Sequence, residues 1–386
     1  MLTLEQQIFK QLEKSENILI VFNSDWNGDA VASALGLYNF LKKSGKKVEI
    51  AAQLETEDNA RQKAAELWRF LPAYEHIQTS LKNLRKFIVS LDISQAIINQ
   101  IKYSVDGQHL NFIISPEKGW FKPEDITTSS SGFKHDLIFV LDTPDLESLG
   151  AIYDNNVEFF YKTTIINIDH HGANEEFGQI NYLDLNVVST AEIVYSLLKQ
   201  AGSEDIDEEA ATCLLAGIIS KTKNFKNPNL TPRTLLTSSK LISLGARREE
   251  IISQLYRSRP LPVLKLWGKL LNNLQADQEK NLLWSILKKE DLDSINTEDI
   301  DLSEVVEEIN ASVPEAKLII IAFPTSGDHF RLNVFASKGL SAIEILEPWH
   351  GSGDNKEATA VIDIETDKIY TEVIVPIKEK LDKNFA

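Results

Sequence analysis

The chain of 386 residues holds one cysteine, Cys213, so no intrachain disulfide braces it. That thiol lies in the apolar run Cys213-Leu214-Leu215-Ala216-Gly217 and reads as core packing. No apolar run reaches the length of a membrane span, so no membrane partner is expected. The start, Met1-Leu2-Thr3-Leu4-Glu5-Gln6-Gln7, lacks a basic region followed by an apolar core. No secretory signal is therefore expected, and the expected compartment is the cytoplasm. Clustered positive charge is scarce too. The formal net charge is −17, and a long nucleic acid needs grouped Lys and Arg, so that class of partner is excluded. The nearest cluster, Lys42-Lys43 with Lys46-Lys47, falls at a predicted helix end, where it complements the helix dipole. Any nucleotide bound here would have to be short and held in a cleft.

What the chain does have is the make-up of a globular protein, 43% hydrophobic and 25% charged, long enough for two domains with separate cores. Asn17–Phe22 is a continuous apolar run, the pattern of a strand covered on both faces. It breaks into Asn23-Ser24-Asp25-Trp26-Asn27-Gly28-Asp29. Val31, Ala34, Leu35, Tyr38 and Leu41 then recur at helical spacing up to Gly45. Residues 48–51 predict the next strand and 60–70 another helix before Pro72. This alternation predicts a parallel α/β sheet. Residues 80–135 read as an elaboration: apolar segments 97–101 and 110–114 flank the turn signal Asp106-Gly107, and 127–132 predicts a polar, mobile loop. Sheet order resumes at Leu137–Leu141, which ends in Asp142-Thr143-Pro144-Asp145.

The run Ile165-Ile166-Asn167-Ile168 then releases Asp169-His170-His171-Gly172. An interior strand ending in one carboxylate and two imidazoles is a common way to hold a divalent metal over a parallel sheet. Taken alone, the triplet is more simply a polar loop whose Asp caps a helix. Three acid-bearing strand ends, at Asp29, Asp142 and Asp169, favour the metal, because all carboxyl ends of a parallel sheet face one crevice. Further on, Ser189-Thr190-Ala191-Glu192 has the form of a capping box, continued by the amphipathic residues 193–198. Residues 210–219 predict a buried helix ending in Ser220-Lys221-Thr222-Lys223-Asn224-Phe225. Thr231-Pro232-Arg233-Thr234 opens another, which reaches Gly245.

In this order, Gly28-Asp29-Ala30, Leu141-Asp142-Thr143-Pro144-Asp145, Asp169-His170-His171, Ser189-Thr190-Ala191-Glu192, Thr231-Pro232-Arg233-Thr234 and Ser258-Arg259-Pro260-Leu261 resemble the DHH phosphoesterase family with its DHH-associated C-terminal domain. The resemblance covers nearly the whole chain. That family includes nano-RNases of oligoribonuclease type, cyclic-dinucleotide phosphodiesterases and single-strand exonucleases, with manganese pyrophosphatases as remoter relatives. The resemblance implies a parallel-sheet α/β domain over residues 1–255, a linker helix over 256–275 and a smaller α+β domain over 276–386. It also implies two manganese ions (Mn2+) roughly 3.5–4 Å apart that share a water and clamp phosphate oxygens. One ion is held by a His and an Asp of the first motif with the Asp of the second, here Asp142. The other is held by the second Asp of the first motif, here Asp29, by Asp142 again, by the first His of Asp-His-His, here His170, and by an Asp of the fourth motif.

Several of those positions are substituted. The first motif runs His, two residues, Pro-Asp-Gly-Asp; aligned on Asp29, the His position is Asn23 and the first Asp position is Asn27. Lys221 stands at the Asp of the fourth motif. Asp29, Asp142 and His170 are retained. Four carboxylates facing two dications have become two carboxylates and an ammonium. Two dications would then leave about +3 uncompensated in the crevice, where an unpaired charge costs several kcal/mol. At most one divalent metal is expected, or none, with Lys221 standing where a cation stood. A solvated Lys221 is the plainer alternative, and Asp25 reaching inward would restore part of the site.

The second domain repeats the pattern of loss. Residues 281–287 and 317–323 predict strands with an acidic helix, 302–309, between them, and Phe330–Ala336 predicts another strand. The resemblance implies an Arg at the end of that strand, where Ala336 stands before Ser337-Lys338-Gly339. It implies a Gly-Gly-Gly-His substrate loop, where Gly351-Ser352-Gly353-Asp354 stands. His350, after Trp349, is more simply structural; its substituting for the lost imidazole is the open alternative. The expectation is a nucleotide-binding or protein-interacting pseudoenzyme that takes a short nucleotide or cyclic dinucleotide, as a homodimer or beside an active paralogue. Two alternatives stay open. One is an active phosphoesterase using a single ion, with His171 on the phosphate and Asp169 orienting an imidazole. The other is a purely structural interaction protein.

Overall fold

The computed structural model describes residues 2–384 except 55–58, 86, 130–131, 203–204, 228, 258–260, 293–301, 326–328 and 338. Ser258, Arg259 and Pro260 of the last motif, Lys338, and positions 130–131 of the polar loop lie outside the described residues. The chain divides into two compact units, residues 1–257 and 258–386.

The first unit runs α1 (Leu4–Lys14), β1 (Asn17–Phe22), α2 (Gly28–Lys43), β2 (Lys47–Ala51), α3 (Asn59–Glu66) and β3 (Ile77–Gln78). It continues through β4 (Ile88–Leu91), β5 (Ile97–Asp106), β6 (His109–Lys118), β7 (Ile126–Ser129), β8 (Leu137–Leu141), α4 (Ala151–Asp154) and α5 (Val157–Lys162). β9 (Thr164–Asp169), β10 (Ile180–Leu183), α6 (Thr190–Gly202), α7 (Glu208–Lys221), α8 (Pro232–Ser243) and α9 (Arg248–Ile252) complete it. Six strands form one sheet in the order β10-β9-β8-β1-β2-β3, parallel throughout. Successive side chains of β1 and β8 alternate between two cores. Ile18, Ile20 and Phe22 join Leu137, Phe139 and Leu141 beneath α2 and α7. Leu19 and Val21 join Ile138, Val140, Phe159 and Phe160 on the other face. Burial on both sides is why these strands read as unbroken apolar runs. The helical layer is tightly packed at glycines: a Cβ on Gly36 would lie 2.6 Å from Leu214, and one on Gly28 would lie 2.2 Å from the Trp68 ring.

Two expectations change. The stretch read as a polar loop begins instead with a strand, β7, which pairs antiparallel with β4; the β-branched Ile126-Thr127-Thr128 suits a pleated ribbon. The two short apolar segments are parts of ten-residue strands, β5 and β6. The edge strands β3 and β10 are too short to show a periodicity of their own.

The second unit runs α10 (Leu261–Asn272), β11 (Gln275–Asp277), β12 (Leu282–Ile286), α11 (Ser303–Ser312), β13 (Leu318–Pro324), β14 (Phe330–Ala336), α12 (Ala342–Ile345), β15 (Ser352–Gly353), β16 (Glu357–Ile362) and α13 (Val375–Asn384). Its sheet, β11-β12-β13-β14-β16-β15, is mixed: β12 and β13 run parallel and the other neighbours antiparallel. Leu266 and Leu270 of α10 pack with Val305 and Ile309 of α11 on one face of it. Ile345 of α12 and Ile377 and Leu381 of α13 cover the other. The helix read as a linker thus contributes to the core of this unit. The architecture is an α/β unit on a parallel sheet followed by an α+β unit. Among the described residues no helix is long and apolar enough to cross a membrane.

Candidate metal centre

From β1 the chain winds outward through β2 to β3, and from β8 through β9 to β10 in the opposite sense. Where the winding reverses, a crevice opens at the carboxyl ends of the strands. Asp142 and Asp169 stand at strand ends there, whereas Asp29, expected at a strand end, lies in the first turn of α2 and meets them through His170, 3.9 Å from its Oδ2. Asp142, the first residue after β8, has a left-handed backbone (φ 51°), a conformation that Asp tolerates better than most residues. Asn23, the first residue after β1, donates from Nδ2 to the Asp142 backbone oxygen at 2.9 Å. The substituted position thus ties β1 to the Asp142 turn.

Asp29 reaches from the start of α2 to the start of α6. Its Oδ2 accepts the Thr190 amide at 2.7 Å, and its Oδ1 accepts the Ala191 amide at 3.1 Å and the Ser33 hydroxyl at 3.3 Å. It serves as the anion that the free amides and dipole of a helix start favour. Burial first, then the charge of Asp142, push Asp29 up to about 6. Asp142 goes the other way. Against its burial, the His170 hydrogen bond and the charges of Lys221 and His170 hold it down to about 2. Thr190 completes the junction: its hydroxyl donates to Asp142 Oδ1 at 2.7 Å and lies 3.0 Å from His170 Nδ1.

Asp169 ends β9 fully buried. Its Oδ1 accepts the amides of His170 (2.7 Å) and His171 (3.3 Å) and faces His171 Nδ1 at 2.7 Å, while Oδ2 accepts Asn174 Nδ2 at 2.8 Å. The hydrogen bond to Asp169 raises the His171 imidazole above its ordinary value. With Nδ1–H donated to Asp169, His171 Nε2 is left as an acceptor, and Lys221 Nζ sits 3.4 Å from it. Lys221 ends α7 half-buried, aimed into the crevice. Asn27 caps α2, its Oδ1 accepting the Ala30 amide at 3.0 Å, and its Nδ2 donates to Asp25 Oδ1 at 3.2 Å. Asp25 is exposed and also accepts the Asn27 amide, so it braces this loop.

Asp142, Asp169, His170 and His171 each offer a ligand atom, all within 4.8 Å of one another. Asp142 Oδ2 is buried without a hydrogen-bond partner, a need that a cation would meet. Two carboxylates and two imidazoles suit a divalent ion of the manganese or zinc kind. Asp29 is outside this group of four, though its Oδ2 lies 3.9 Å from His170 Nδ1. Sequence reasoning saw Thr190 only as a helix cap and passed over Asn174. Its place beside Asp29 in the crevice was the missing signal for the first; nothing in its polar loop marked the second.

In the second unit, Gly351 and Asp354 spend their amides on Leu346 and Glu357 carbonyls. Asp354 Oδ1 accepts the amides of Lys356 (2.7 Å) and Glu357 (2.9 Å), which hold it below the ordinary carboxylate range. Ser352 and Gly353 pair with β16 as β15. The loop is therefore a closed turn. Ser352, Gly353 and Asp354 border a pocket with Arg331, Asn333, Trp349, exposed His350 and Thr359. Asn333 Nδ2 and Thr359 Oγ1 there have no hydrogen-bond partner. Ala336 donates its amide to the Lys356 carbonyl and presents no charge.

The chain is 28% identical over 220 residues to the bifunctional oligoribonuclease and PAP phosphatase NrnA of Thermus thermophilus, a match covering 57% of this chain and 65% of that protein. It is 26% identical over 248 residues to the protein of the same name from Bacillus subtilis, covering 63% of this chain and 76% of that one. The match thus spans less than two thirds of the Thermus protein. Among solved structures, an exopolyphosphatase-related protein from Bacteroides fragilis superposes with a TM-score of 0.61 at 18% identity, covering 98% of this chain and 97% of that chain; this likeness speaks for the fold alone. Residues 17–218, more than half of the chain, match the model of the DHH family, N-terminal domain, and the chain belongs to that phosphoesterase family.

Proposed function

We propose that this protein keeps the DHH fold and crevice but holds at most one divalent ion there, and that it binds short nucleotides without hydrolysing them at ordinary enzyme rates. The observation that carries this reading is Lys221 Nζ, 3.4 Å from His171 Nε2. An ammonium at that distance repels a second dication, and Asp29, whose oxygens serve the α6 amides, is poorly placed to recruit one. Asp142, Asp169 and His170 would hold the single ion, which when bound neutralises charge on phosphate oxygens, while His171, with Nδ1 on Asp169 and Nε2 facing Lys221, would stand beside it. Lys221 offers a fixed positive charge to a further phosphate oxygen. Asn23 and Thr190 hold Asp142 in place, and Asn174 and His171 hold Asp169. In the second unit, Arg331 at the border of the pocket offers a donor to a phosphate.

The test measures binding and turnover together. Purified protein with Mn2+ is titrated calorimetrically with a 5′-phosphorylated dinucleotide, a cyclic dinucleotide and a nucleoside 3′,5′-bisphosphate, and each mixture is assayed for released phosphate or mononucleotide. Binding without release supports the reading. Turnover near the usual enzyme median of about 10 s−1 overturns it. That outcome would favour the second reading, an active one-ion phosphoesterase, which rests on the intact four-residue cluster and the unpartnered Asp142 Oδ2.

A further inference from the structure

Residues 88–129 leave the parallel sheet and form a two-stranded antiparallel ribbon, β4 against β7 and β5 against β6. A two-residue turn, Gly107-Gln108, closes it, with Gly107 (φ 58°) at the first central position, where a II′ turn takes glycine. Register sets Ile101 opposite Ile114, Tyr103 opposite Phe112 and Val105 opposite Leu110. Residues directly opposed share a face, so these six side chains make one apolar face. Lys102, Ser104, Asp106, His109 and Asn111 lie on the other, with Ile113 as its apolar member. The apolar face is open: Ile101 is 60% exposed, Tyr103 74%, Val105 70%, Leu110 55% and Phe112 56%.

We propose that this face docks on the same face of a second copy of the chain about a two-fold axis. Area is the first argument. Five side chains at those exposures offer roughly 600 Å2, at the upper end of what a monomer leaves open. Two copies face to face would bury roughly 1,200 Å2, the lower bound of a specific interface. Symmetry is the second. An axis through the Tyr103–Phe112 pair lays the other copy's pair across it and sets Val105–Leu110 of each copy against Ile101–Ile114 of the other, an isologous contact. Charge is the third. The face carries none, and Lys102, Asp106 and His109 are turned away from it, so the contact itself brings no like charges together. A free two-stranded ribbon is marginal in water, and this contact gives it the second layer it lacks.

Sedimentation velocity of the full chain from about 0.1 to about 100 µM tests the proposal, with a particle of twice the 43.5 kDa chain mass expected and a dissociation constant on the order of 1 µM. Tyr103→Glu with Phe112→Glu should weaken the dimer at least about 100-fold, which is about 2.7 kcal/mol. Ser104→Glu with Asn111→Glu, on the polar face, should leave it intact. If the first pair unfolds the ribbon, deletion of residues 97–118 gives the same reading, since Ala96 and Gly119 already abut. A chain that stays monomeric at about 100 µM, or a dimer that survives both the double substitution and the deletion, overturns the proposal. So does a monomer that floats with phosphatidylcholine vesicles through this ribbon, which would make lipid the occupant.

Discussion

Lys221 Nζ lies 3.4 Å from His171 Nε2, so a cation of the chain itself stands beside the imidazole of the site, and its charge reaches both Asp29 and Asp142. An ammonium beside the ligand atoms would repel a dication bound there, and the partial exposure of Lys221 reduces that. Lys221→Met is expected to tighten Mn2+ binding at least about tenfold, read by calorimetry. Lys221→Asp combined with Asn27→Asp and Asn23→His is expected to raise the stoichiometry from at most one ion to two and to gain hydrolysis of a 5′-phosphorylated dinucleotide. Unchanged affinity in Lys221→Met would show the lysine to be a bystander.

Thr190 couples the helix start to the metal site, because its amide lies on Asp29 and its hydroxyl on Asp142 and His170. Thr190→Val keeps the shape and removes the hydroxyl, leaving a buried carboxylate short of a donor. The expected loss is about 1–3 kcal/mol in urea unfolding, with Thr190→Ser recovering most of it. Mn2+ affinity should fall in Thr190→Val, since the hydroxyl fixes the Asp142 rotamer. Equal stability of the valine and serine variants would remove Thr190 from the site.

How much of this was legible in the sequence depends on what each residue had to signal. Asn17–Phe22 and Leu137–Leu141 were readable because burial on both faces demands unbroken apolar runs, and the acids at their ends were readable because parallel strands share one edge. Lys221 was readable as a substitution within a motif. What Asp29 does was not: its role as anion to α6 joins residues 161 apart in sequence, and no local pattern records it. Asp354 was misleading, because in sequence it replaces an imidazole whereas in the fold it closes a turn. The ribbon was underestimated because its apolar residues alternate with polar ones, and only the register gathers them on one face.

Glu192 gives a pH dependence separable from the metal site. It is fully buried near the start of α6, with Oε1 accepting the Val188 amide at 3.2 Å and the Thr234 hydroxyl at 3.1 Å, and with Oε2 unpartnered. Burial raises its pKa above the ordinary value of 4.5. The native state therefore binds this proton more tightly than the unfolded chain does. The contribution is fully present below the ordinary carboxylate range and is lost as pH rises through the raised value. Glu192→Gln cannot lose a proton, so it should gain on the order of 1 kcal/mol over the parent at pH 8 and nothing at pH 4. Parallel stability curves for the two proteins between those pH values would contradict the assignment.

Asp354 separates charge from shape in the second unit. Its carboxylate repels a phosphate in the neighbouring pocket, yet the same Oδ1 ties down the Lys356 and Glu357 amides. Asp354→Asn keeps an acceptor for those amides and removes the charge, so nucleotide binding should tighten by roughly threefold at low salt and less at 0.15 M, as expected for an exposed charge. Asp354→His, the change that restores the family residue, removes the acceptor as well and should open the turn, so its gain should be smaller than that of Asn. Fluorescence titration with a labelled 5′-phosphorylated dinucleotide ranks the three proteins. An order with His above Asn would mean that an imidazole at 354 meets phosphate directly and that the closed turn is not what limits binding.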